Sequence, residues 1–320
     1  MEPQVFVYAV LDALETGLPY MLAFLGVWLV FRIYQDFDLT VGGSFTLGAS
    51  ICAVWIVRGG DPWLALPLAA IGGALAGVLT YVVMYYLNLS LILSSIVVNT
   101  ALFTINLRLL GVPDVSIIGK RTIVDSFNSA LGITQSSQIS TILVMGLIAG
   151  VVIGLLSLFL LTEAGLALRA CGTNKMMARA AGVSPPLMLL LVIMMANGLT
   201  GLSGALVVQE QGFVDVMMGA SILIFGVTGV LLGEVILWGT GPIRGVLTVV
   251  LGTLAYRLLL ALAFRVGVEP QDFNALTASV VVFSLLLNLG VTRVVQTRAT
   301  SSAKAISIAA TDASERREVT

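Results

Sequence analysis

The sequence predicts an all-α polytopic membrane protein with about eight to ten transmembrane helices, some of them broken or half-length. Hydrophobic residues make up 58% of the 320 residues and charged residues only 10%, against roughly 25% charged residues in a soluble domain. The mean hydropathy is +1.05, and the apolar residues fall in runs near the roughly 20 residues that a spanning helix needs. Composition and run length therefore indicate a chain whose solvent is mostly lipid.

The same composition excludes several classes of chemistry. The chain has no histidine, which removes the usual metal ligand, general base and proton shuttle. Its two cysteines, Cys52 and Cys171, lie in an apolar run and in a polar stretch, so we expect two reduced thiols and no disulfide framework. The net charge of −1 gives no indication of a nucleic-acid partner.

Nine apolar runs mark the candidate spans. In chain order they are Gly17–Ile33, Phe45–Val57, Trp63–Tyr86, Leu89–Leu110, Thr141–Leu161, Leu187–Val208, Ala220–Leu237, Val246–Phe264 and Ala275–Val291. The second run is too short to cross comfortably, and a polar stretch, Gly111–Ser140, separates the fourth from the fifth. We expect residues 1–292 to form the membrane domain and residues 293–320, which are small and polar, to form a flexible cytoplasmic tail.

Basic residues favour one orientation of these spans. If the polar stretch Glu163–Pro186 and the tail are cytoplasmic, ten basic residues fall inside and five outside, with Arg257 within a span. An excess of Lys and Arg on the cytoplasmic side is typical of membrane proteins. The N-terminus would then be outside and the C-terminus inside.

An internal echo predicts an inverted repeat. The stretch DLTVGGS from Asp38 to Ser44 recurs as DVMMGAS from Asp215 to Ser221, and GGDPW around Pro62 is echoed by GTGPI around Pro242. The two offsets nearly agree, and in this topology the copies enter the membrane from opposite sides. Inverted repeats with short, glycine-broken segments are common in transporters, where such segments mark the pathway. Chance similarity between two glycine-rich stretches is the alternative.

The repeated stretches supply most of the candidate pathway residues. They would place the N-termini of half-helices inside the membrane, where backbone N–H groups are tolerable only if buried or facing water. Asp38 and Asp215 could cap these N-termini or contact a solute, and we favour capping. The candidate pathway residues from the two copies are Asp38, Thr40, Gly42, Gly43, Ser44, Asp215, Gly219 and Ser221.

The remaining candidate pathway residues lie on a polar face of the fourth run. Asn88, Ser95, Asn99 and Asn106 are separated by 7, 4 and 7 residues, a spacing that puts them on one helical face. Amides in hydrocarbon are costly without partners, so the face points to a wet cavity or to hydrogen-bonding helices. Both interpretations stay open, and Ser95, Asn99 and Asn106 join the candidate pathway.

Two further features concern the later spans. Asn197, Thr200, Gly201 and Gly204 form a small, polar stripe for which we favour close helix packing. Arg257 within the eighth run is costly unless paired, and Glu234 is its nearest plausible partner by depth.

The polar stretch Glu163–Pro186 has the marks of a brief helix. Thr173 or Asn174 can cap it, Gly182 suits a left-handed C-terminal residue, and Pro185 and Pro186 forbid continuation. A helix of about two turns is not stable alone, so something must hold it. Its residues suit a groove on another protein, although a surface loop that only fixes orientation is the alternative. The candidate docking residues are Thr173, Asn174, Lys175, Met176, Met177, Arg179, Ala180 and Gly182.

Three stretches together resemble the permease subunits of ABC importers. They are YQDFDLTVGGSFTLGA, ALRACGTNKMMARAAGVSPP and ANGLTGLSGALVVQEQGFVDVMMGAS, they occur in the family's order, and the similarity covers roughly Leu14–Leu289. The chain is most similar to the branched-chain amino acid and ribose permease superfamily, and within it to tryptophan/tyrosine-type uptake permeases. The resemblance implies a type II ABC importer fold, with the coupling helix at Thr173–Ser184 and the family's D-L-[ST]-V-G element at Asp38–Gly42. Gly42-Gly43 departs from the family, in which an acidic residue often precedes the second glycine.

The resemblance also implies partners and a function. We expect a transport subunit and not an enzyme, without a cofactor of its own, since ATP and magnesium belong to ABC ATPase subunits on the cytoplasmic face. An extracytoplasmic substrate-binding protein would deliver an amino-acid-like solute, and a second copy of the permease would complete a homodimer in the bacterial cytoplasmic (inner) membrane. The alternative is an ion-coupled secondary transporter acting without an ATPase, which an inverted repeat suits equally. Of the ionisable groups in the spans, only Glu234 and the two repeat aspartates offer ion sites for it.

Overall fold

The computed structural model describes residues 3–130, 138–237, 241–268, 272, 275–284 and 286. Within these residues the chain is a bundle of helices with one small pair of strands. The tail expected at residues 293–320 and the end of the membrane domain expected at residue 292 lie outside the described residues.

Two kinds of element make up the described chain. The helices are α1 (Pro3–Trp28), which continues as a π-helical segment (Leu29–Tyr34), α2 (Thr40–Val57), α3 (Pro62–Leu87), α4 (Leu91–Leu110), α5 (Ile123–Ala130), α6 (Gln138–Leu161), α7 (Glu163–Thr173), α8 (Lys175–Ala180), α9 (Pro185–Gln211), α10 (Ile222–Ile236), α11 (Pro242–Val266) and α12 (Ala275–Ser284). The strands β1 (Asp114–Ser116) and β2 (Phe213–Asp215) pair antiparallel, with Asp114 opposite Asp215.

Seven of the described helices are long and apolar enough to span a membrane, and α10 and α12 are shorter apolar helices. The prediction of an all-α polytopic membrane protein is confirmed. Helix α2 begins at Thr40, before the predicted second run, and its 18 residues make it the shortest of the seven candidate spans. The first helix also begins earlier than the predicted run, at Pro3, and carries Asp12, which pairs with Arg265.

The bundle has two ends, which α9 connects. We call the end that carries α7, α8 and the π-helical segment the α8 end, and the end that carries β1, β2 and α5 the strand end. Since α9 runs from just after α8 to just before β2 over 27 residues, the two ends are about 40 Å apart at 1.5 Å per residue. Seven spans and this length describe a multi-pass membrane protein.

The two halves of the chain exchange helices at the centre. One long helix precedes the repeated stretch in each half of the chain, α1 in the first half and α9 in the second. Helix α1 contacts α10 and α11 of the second half, whereas α9 contacts α2 and α3 of the first half. Small residues allow this approach. A Cβ atom on Gly201 of α9 would lie 2.6 Å from the carbonyl oxygen of Ala69 in α3, which is closer than real side chains come. The close packing predicted for the stripe from Asn197 to Gly204 is thereby confirmed.

The short helices α2 and α10 begin inside the bundle and run to opposite ends. Asp38, just before α2, bonds to Asn197 near the middle of α9, and α2 ends beside the strand end, where Pro62 accepts a bond from Gln209. Helix α10 begins after Gly219, which touches Gly42, and ends at the α8 end, where Glu234 pairs with Arg32. The equivalent glycines of the two copies therefore meet where oppositely running helices begin, as an inverted repeat requires.

Candidate functional site

A cavity of about 280 Å³ lies where the two copies of the repeat meet. Helix α2 forms one wall, α4 forms another, and the turn between β2 and α10 closes the third side. The described residues that line it are Gly42, Gly43, Thr46, Asn99, Thr100, Phe103, Asn106, Val216, Met217, Gly219 and Ala220. None of these residues is ionisable.

Five of the eleven predicted pathway residues line this cavity, namely Gly42, Gly43, Asn99, Asn106 and Gly219. The other six lie around it. Asp38, Thr40 and Ser44 stand behind the α2 wall, Ser95 bonds to the backbone of its own helix, Asp215 ends β2, and Ser221 precedes α10 without a side-chain cap bond. These six residues are close in sequence to residues that line the cavity, but they do not line it themselves.

Glycine at positions 42 and 219 is required by the contact between the two copies. A Cβ atom on Gly42 would lie 2.7 Å from the carbonyl oxygen of Gly219, and a Cβ atom on Gly219 would overlap the carbonyl oxygen of Gly42. The N–H of Gly219 donates to the hydroxyl of Thr46, one turn further along α2, at 3.1 Å. Backbone thus meets backbone at this wall, because no side chain stands between the two segments.

On the α4 wall the polar side chains are spaced by the helix. Asn99, Phe103 and Asn106 follow an i, i+4, i+7 pattern, which puts an aromatic ring between two amides on one face. The Nδ2 of Asn106 donates to the carbonyl oxygen of Gly43 at 3.2 Å, which ties α4 to α2. Asn88 is not on this face, because it is the left-handed residue that ends α3 and α4 begins only at Leu91.

Behind the α2 wall lies a buried hydrogen-bond network centred on Asn197. Its Nδ2 donates to Asp38 Oδ2 at 2.6 Å, and its Oδ1 accepts from Ser44 Oγ at 2.6 Å. Asp38 Oδ1 also accepts from the N–H of Thr40 at 2.8 Å, at the first turn of α2. Asp38 thus binds the first N–H of α2 from one residue before the N-cap, Leu39, which itself makes no side-chain cap bond. This network anchors the start of α2 to the middle of α9.

Asp215 does not repeat this role. Its carboxylate accepts from the N–H of Met217 at 2.7 Å, within the turn after β2, and α10 begins only at Ile222. The prediction that Asp215 caps a half-helix was wrong, because several turn residues intervene between it and the helix. In place of a cap it shapes the turn that carries Val216 and Met217 to the cavity.

The α8 end carries an exposed short helix. Asn174 caps α8 by accepting from the N–H groups of Met176 and Met177 at 3.0 Å each. Thr173 does not cap it, since it is the last residue of α7 and bonds back to Arg169. The helix is six residues long, Lys175–Ala180, which is shorter than the predicted Thr173–Ser184, and all eight predicted docking residues are exposed.

Exposed methionines and a buried anchor distinguish the two faces of α8. Met176 and Met177 are 73% and 60% exposed, whereas Ala178 is buried against the rest of the chain. The Lys175 ammonium lies over the ring of Tyr34, 4.9 Å from its centroid, which links α8 to the π-helical segment. A short helix held by one face can present its other face outward.

The neighbouring α7 packs tightly on the same segment. A Cβ atom on Gly172 would overlap the carbonyl oxygen of Ile33, so the two backbones touch. Burial raises the pKa of the Cys171 thiol, and nearby Lys175 offsets part of that rise. Cys171 is therefore an uncharged, buried thiol that holds α7 against the bundle.

The charged side chains in the spans do not form the pair between Glu234 and Arg257 that depth along the chain allowed. Glu234 pairs with Arg32 of the π-helical segment, and so it is not the partner of Arg257. The guanidinium of Arg257 lies 3.7 Å from the centroid of the Tyr20 ring, a cation–π contact between α11 and α1. Helices α10 and α11 pack directly on each other, but Gly233 of α10 lies against Thr248 of α11, so Glu234 lies about two turns of α11 away from the level of Arg257.

The comparisons with known proteins cover nearly the whole chain. Residues 9–290 match a protein family described as the permease component of branched-chain amino acid transport systems. A tyrosine transport system permease protein of Clostridioides difficile (strain R20291) is 30% identical over 258 residues, which are 81% of this chain and 84% of the relative. An uncharacterised protein of Rickettsia prowazekii (strain Madrid E) is 27% identical over 282 residues, 86% of this chain and 96% of the relative. No solved structure gives a significant match.

Proposed function

The chain belongs to the family of permease components of branched-chain amino acid transport systems, and from this premise we propose that it is the permease subunit of an ATP-driven ABC importer. Its solute is small and amino-acid-like, and a relative at 30% identity is named for tyrosine transport. The observation that carries the proposal is the cavity walled by both copies of the inverted repeat. Such a site lets inner and outer halves open in turn around a fixed centre.

Exposed α8 is the proposed contact with the ATPase subunits. A cap, a buried Ala178 and a cation–π contact hold one face of the helix, while Met176, Met177 and Ala180 stay exposed. Methionine side chains adapt to a groove on a partner. ATP and magnesium would be bound by that partner, and this chain would move with it. Transport without catalysis by this chain agrees with its family.

A second copy of the chain is the proposed cover for the cavity. Thr100 and Phe103 line the cavity and are exposed, and the amide of Asn99 beside them is only partly buried. An amide that faces lipid is costly. A homodimer would enclose the cavity between two such faces. An extracytoplasmic binding protein would dock at the strand end, which in this orientation faces out of the bacterial cytoplasmic membrane, with the N-terminus outside and the C-terminus inside.

The test is reconstitution with the partner subunits. We expect proteoliposomes that contain the permease, its ATPase and its binding protein to accumulate radiolabelled L-tyrosine. This uptake should require ATP on the side of the membrane that carries the ATPase. Replacing Ala180 by Trp should abolish uptake and co-purification of the ATPase, because a bulky ring blocks docking of the exposed face. The matched control is Leu147→Trp, which puts the same ring on the 61% exposed face of α6, away from every proposed interface.

Two outcomes would contradict the proposal. Unchanged uptake and unchanged ATPase co-purification in Ala180→Trp would remove the docking surface. Accumulation of L-tyrosine by the purified permease alone, driven by an ion gradient, would favour a secondary transporter.

A further inference from the structure

The cavity contains one buried acceptor that the protein leaves unpaired. Asn106 is 1% exposed, and among the described residues its Oδ1 atom has no hydrogen-bond partner. The orientation of its amide is fixed by chemistry, because Gly43 offers a carbonyl oxygen that can only accept, so Nδ2 must face it. Oδ1 is then the atom of this cavity-lining residue that is left without a partner.

An unpaired acceptor in such a place is unusual. Burying a carbonyl without a donor costs free energy comparable to a lost hydrogen bond, and buried polar groups in native proteins are paired in the great majority of cases. The bond from Nδ2 to Gly43 accounts for one end of this amide and leaves the cost of burying Oδ1 without an offset. The cost is offset only if a donor reaches the cavity for part of the transport cycle.

The other residues that line the cavity restrict the kind of solute that could carry this donor. None of the described lining residues is ionisable, so a solute with an unbalanced charge would lose its hydration without gaining a counter-ion. Asn99 adds a second amide about 10 Å along the same face of α4 at 1.5 Å per residue. Between the two lies Phe103, with Met217 and Val216 also lining the cavity. This wall fits a net-neutral solute with polar ends and an apolar body.

We propose that Asn106 Oδ1 accepts a hydrogen bond from an N–H group of a net-neutral solute in the cavity, which makes Asn106 a selectivity residue of the pathway. The proposal rests on the proposed function as a permease and adds the donor chemistry to it. The shared chemistry is the N–H group, which a zwitterion carries as an ammonium and a neutral ring compound carries as an amide or imide.

Protection of a cavity cysteine tests the proposal without relying on transport. Thr100 is an exposed residue of the cavity wall, so Thr100→Cys gives a single reactive thiol, while both native cysteines are 0% exposed. The rate of thiol labelling in the purified permease is measured against increasing L-tyrosine, uracil or 3-(4-hydroxyphenyl)propionate. The last compound has the ring of tyrosine but no N–H group.

We expect L-tyrosine, uracil or both to slow labelling, and the propionate to have no effect. In Asn106→Leu the half-protecting concentration should rise about tenfold, the loss expected for a hydrogen bond to a buried acceptor. The labelling rate without solute should stay unchanged, which reports an intact cavity. Ser94→Ala, which removes a buried hydroxyl on α4 that bonds only to its own helix backbone, should protect like the parent.

The outcomes separate this inference from the proposed function. Equal protection in the parent and in Asn106→Leu would overturn the role of Asn106, as would failure of both N–H compounds to protect the parent. If Asn106→Leu does not accumulate, Asn106→Ala removes the same acceptor without overfilling the site and is judged by the same criterion. ATP-driven uptake by the unmodified importer is measured separately and decides the proposed function alone.

Discussion

At the residue scale, the contact between Gly42 and Gly219 leads to the first prediction. We expect Gly219→Ala to destabilise the permease by about 1–3 kcal/mol, the usual cost of overpacking, because the added Cβ would overlap the carbonyl oxygen of Gly42. Thermal unfolding in detergent measures it. Gly154→Ala is the control, since nothing lies within 4 Å of a Cβ there and alanine is the better helix former by up to about 1 kcal/mol. Equal melting temperatures for the two variants would contradict the contact.

The network around Asn197 leads to the second prediction. Asn197→Leu should cost about 3 kcal/mol, because it leaves one oxygen of the buried Asp38 carboxylate without its donor. Adding Asp38→Asn should recover part of that loss, since a neutral amide is cheaper to bury than a carboxylate. Thr253→Val is the control, as it removes a buried hydroxyl whose bond is to its own helix backbone. Additive losses in the double variant would contradict the predicted coupling.

Residues within one helix were more predictable than residues that meet across helices. Helical spacing correctly put Asn99 and Asn106 on one face, and adding four residues to Asn99 would have found Phe103 on the cavity wall. The partnership of Asp38 with Asn197 spans 159 residues, and no local pattern encodes it. The same holds for Arg257, whose partner proved to be the ring of Tyr20 and not Glu234.

At the scale of elements, α8 shows what a six-residue helix needs. Its cap is Asn174, and it lacks the length to be stable alone. We expect Asn174→Ala to remove about 1 kcal/mol of helix stability and to reduce co-purification of the ATPase, while the melting temperature of the permease stays unchanged. Asn174→Asp keeps an oxygen acceptor for Met176 and Met177 and should behave like the parent. ATPase binding equal in all three proteins would argue against docking through α8.

Element boundaries followed chemistry where the chain supplies a stop signal. Asn174 was one of two candidate caps for α8, and Pro185 was recognisable as a stop after it, because a capping amide and a proline act locally. That Pro185 also begins α9 was not predicted, since the next apolar run starts at Leu187. The start of α1 was missed because Asp12 reads as the end of an apolar run, although Arg265 of a distant helix neutralises it. A charged residue in an apolar run therefore does not mark the end of a helix when a distant helix supplies its ion-pair partner.

At the scale of the whole molecule, the inverted repeat explains why α1 and α9 stand at the centre. Helix α1 packs on α10 and α11, and α9 packs on α2 and α3. Neither half of the chain therefore forms its core alone. The echo of DLTVGGS in DVMMGAS was readable from the sequence, and so was the prediction that the two copies enter the membrane from opposite sides. The exchange of helices between halves was not, because it depends on packing between residues more than a hundred positions apart.

Orientation in the membrane is the last prediction, and the described part of the chain does not decide it by charge. Five basic residues lie at the α8 end (Arg32, Arg169, Lys175, Arg179 and Arg244) and five at the strand end (Arg58, Arg108, Lys120, Arg121 and Arg265). The excess on the proposed cytoplasmic side comes from the five basic residues of positions 293–320. An impermeant thiol reagent on spheroplasts can therefore test the orientation independently of charge.

In spheroplasts that make the permease without its ATPase, we expect Ile118→Cys at the strand end to be labelled while they are intact, and Met176→Cys on α8 to be labelled only after permeabilisation. Both side chains are well exposed, at 79% and 73%, and the native cysteines are buried and should stay silent. The unsubstituted chain is the control for that silence. The reverse pattern would put α8 outside the cell, where no ATPase subunit could reach it, and the proposed energy source would have to be abandoned with the orientation.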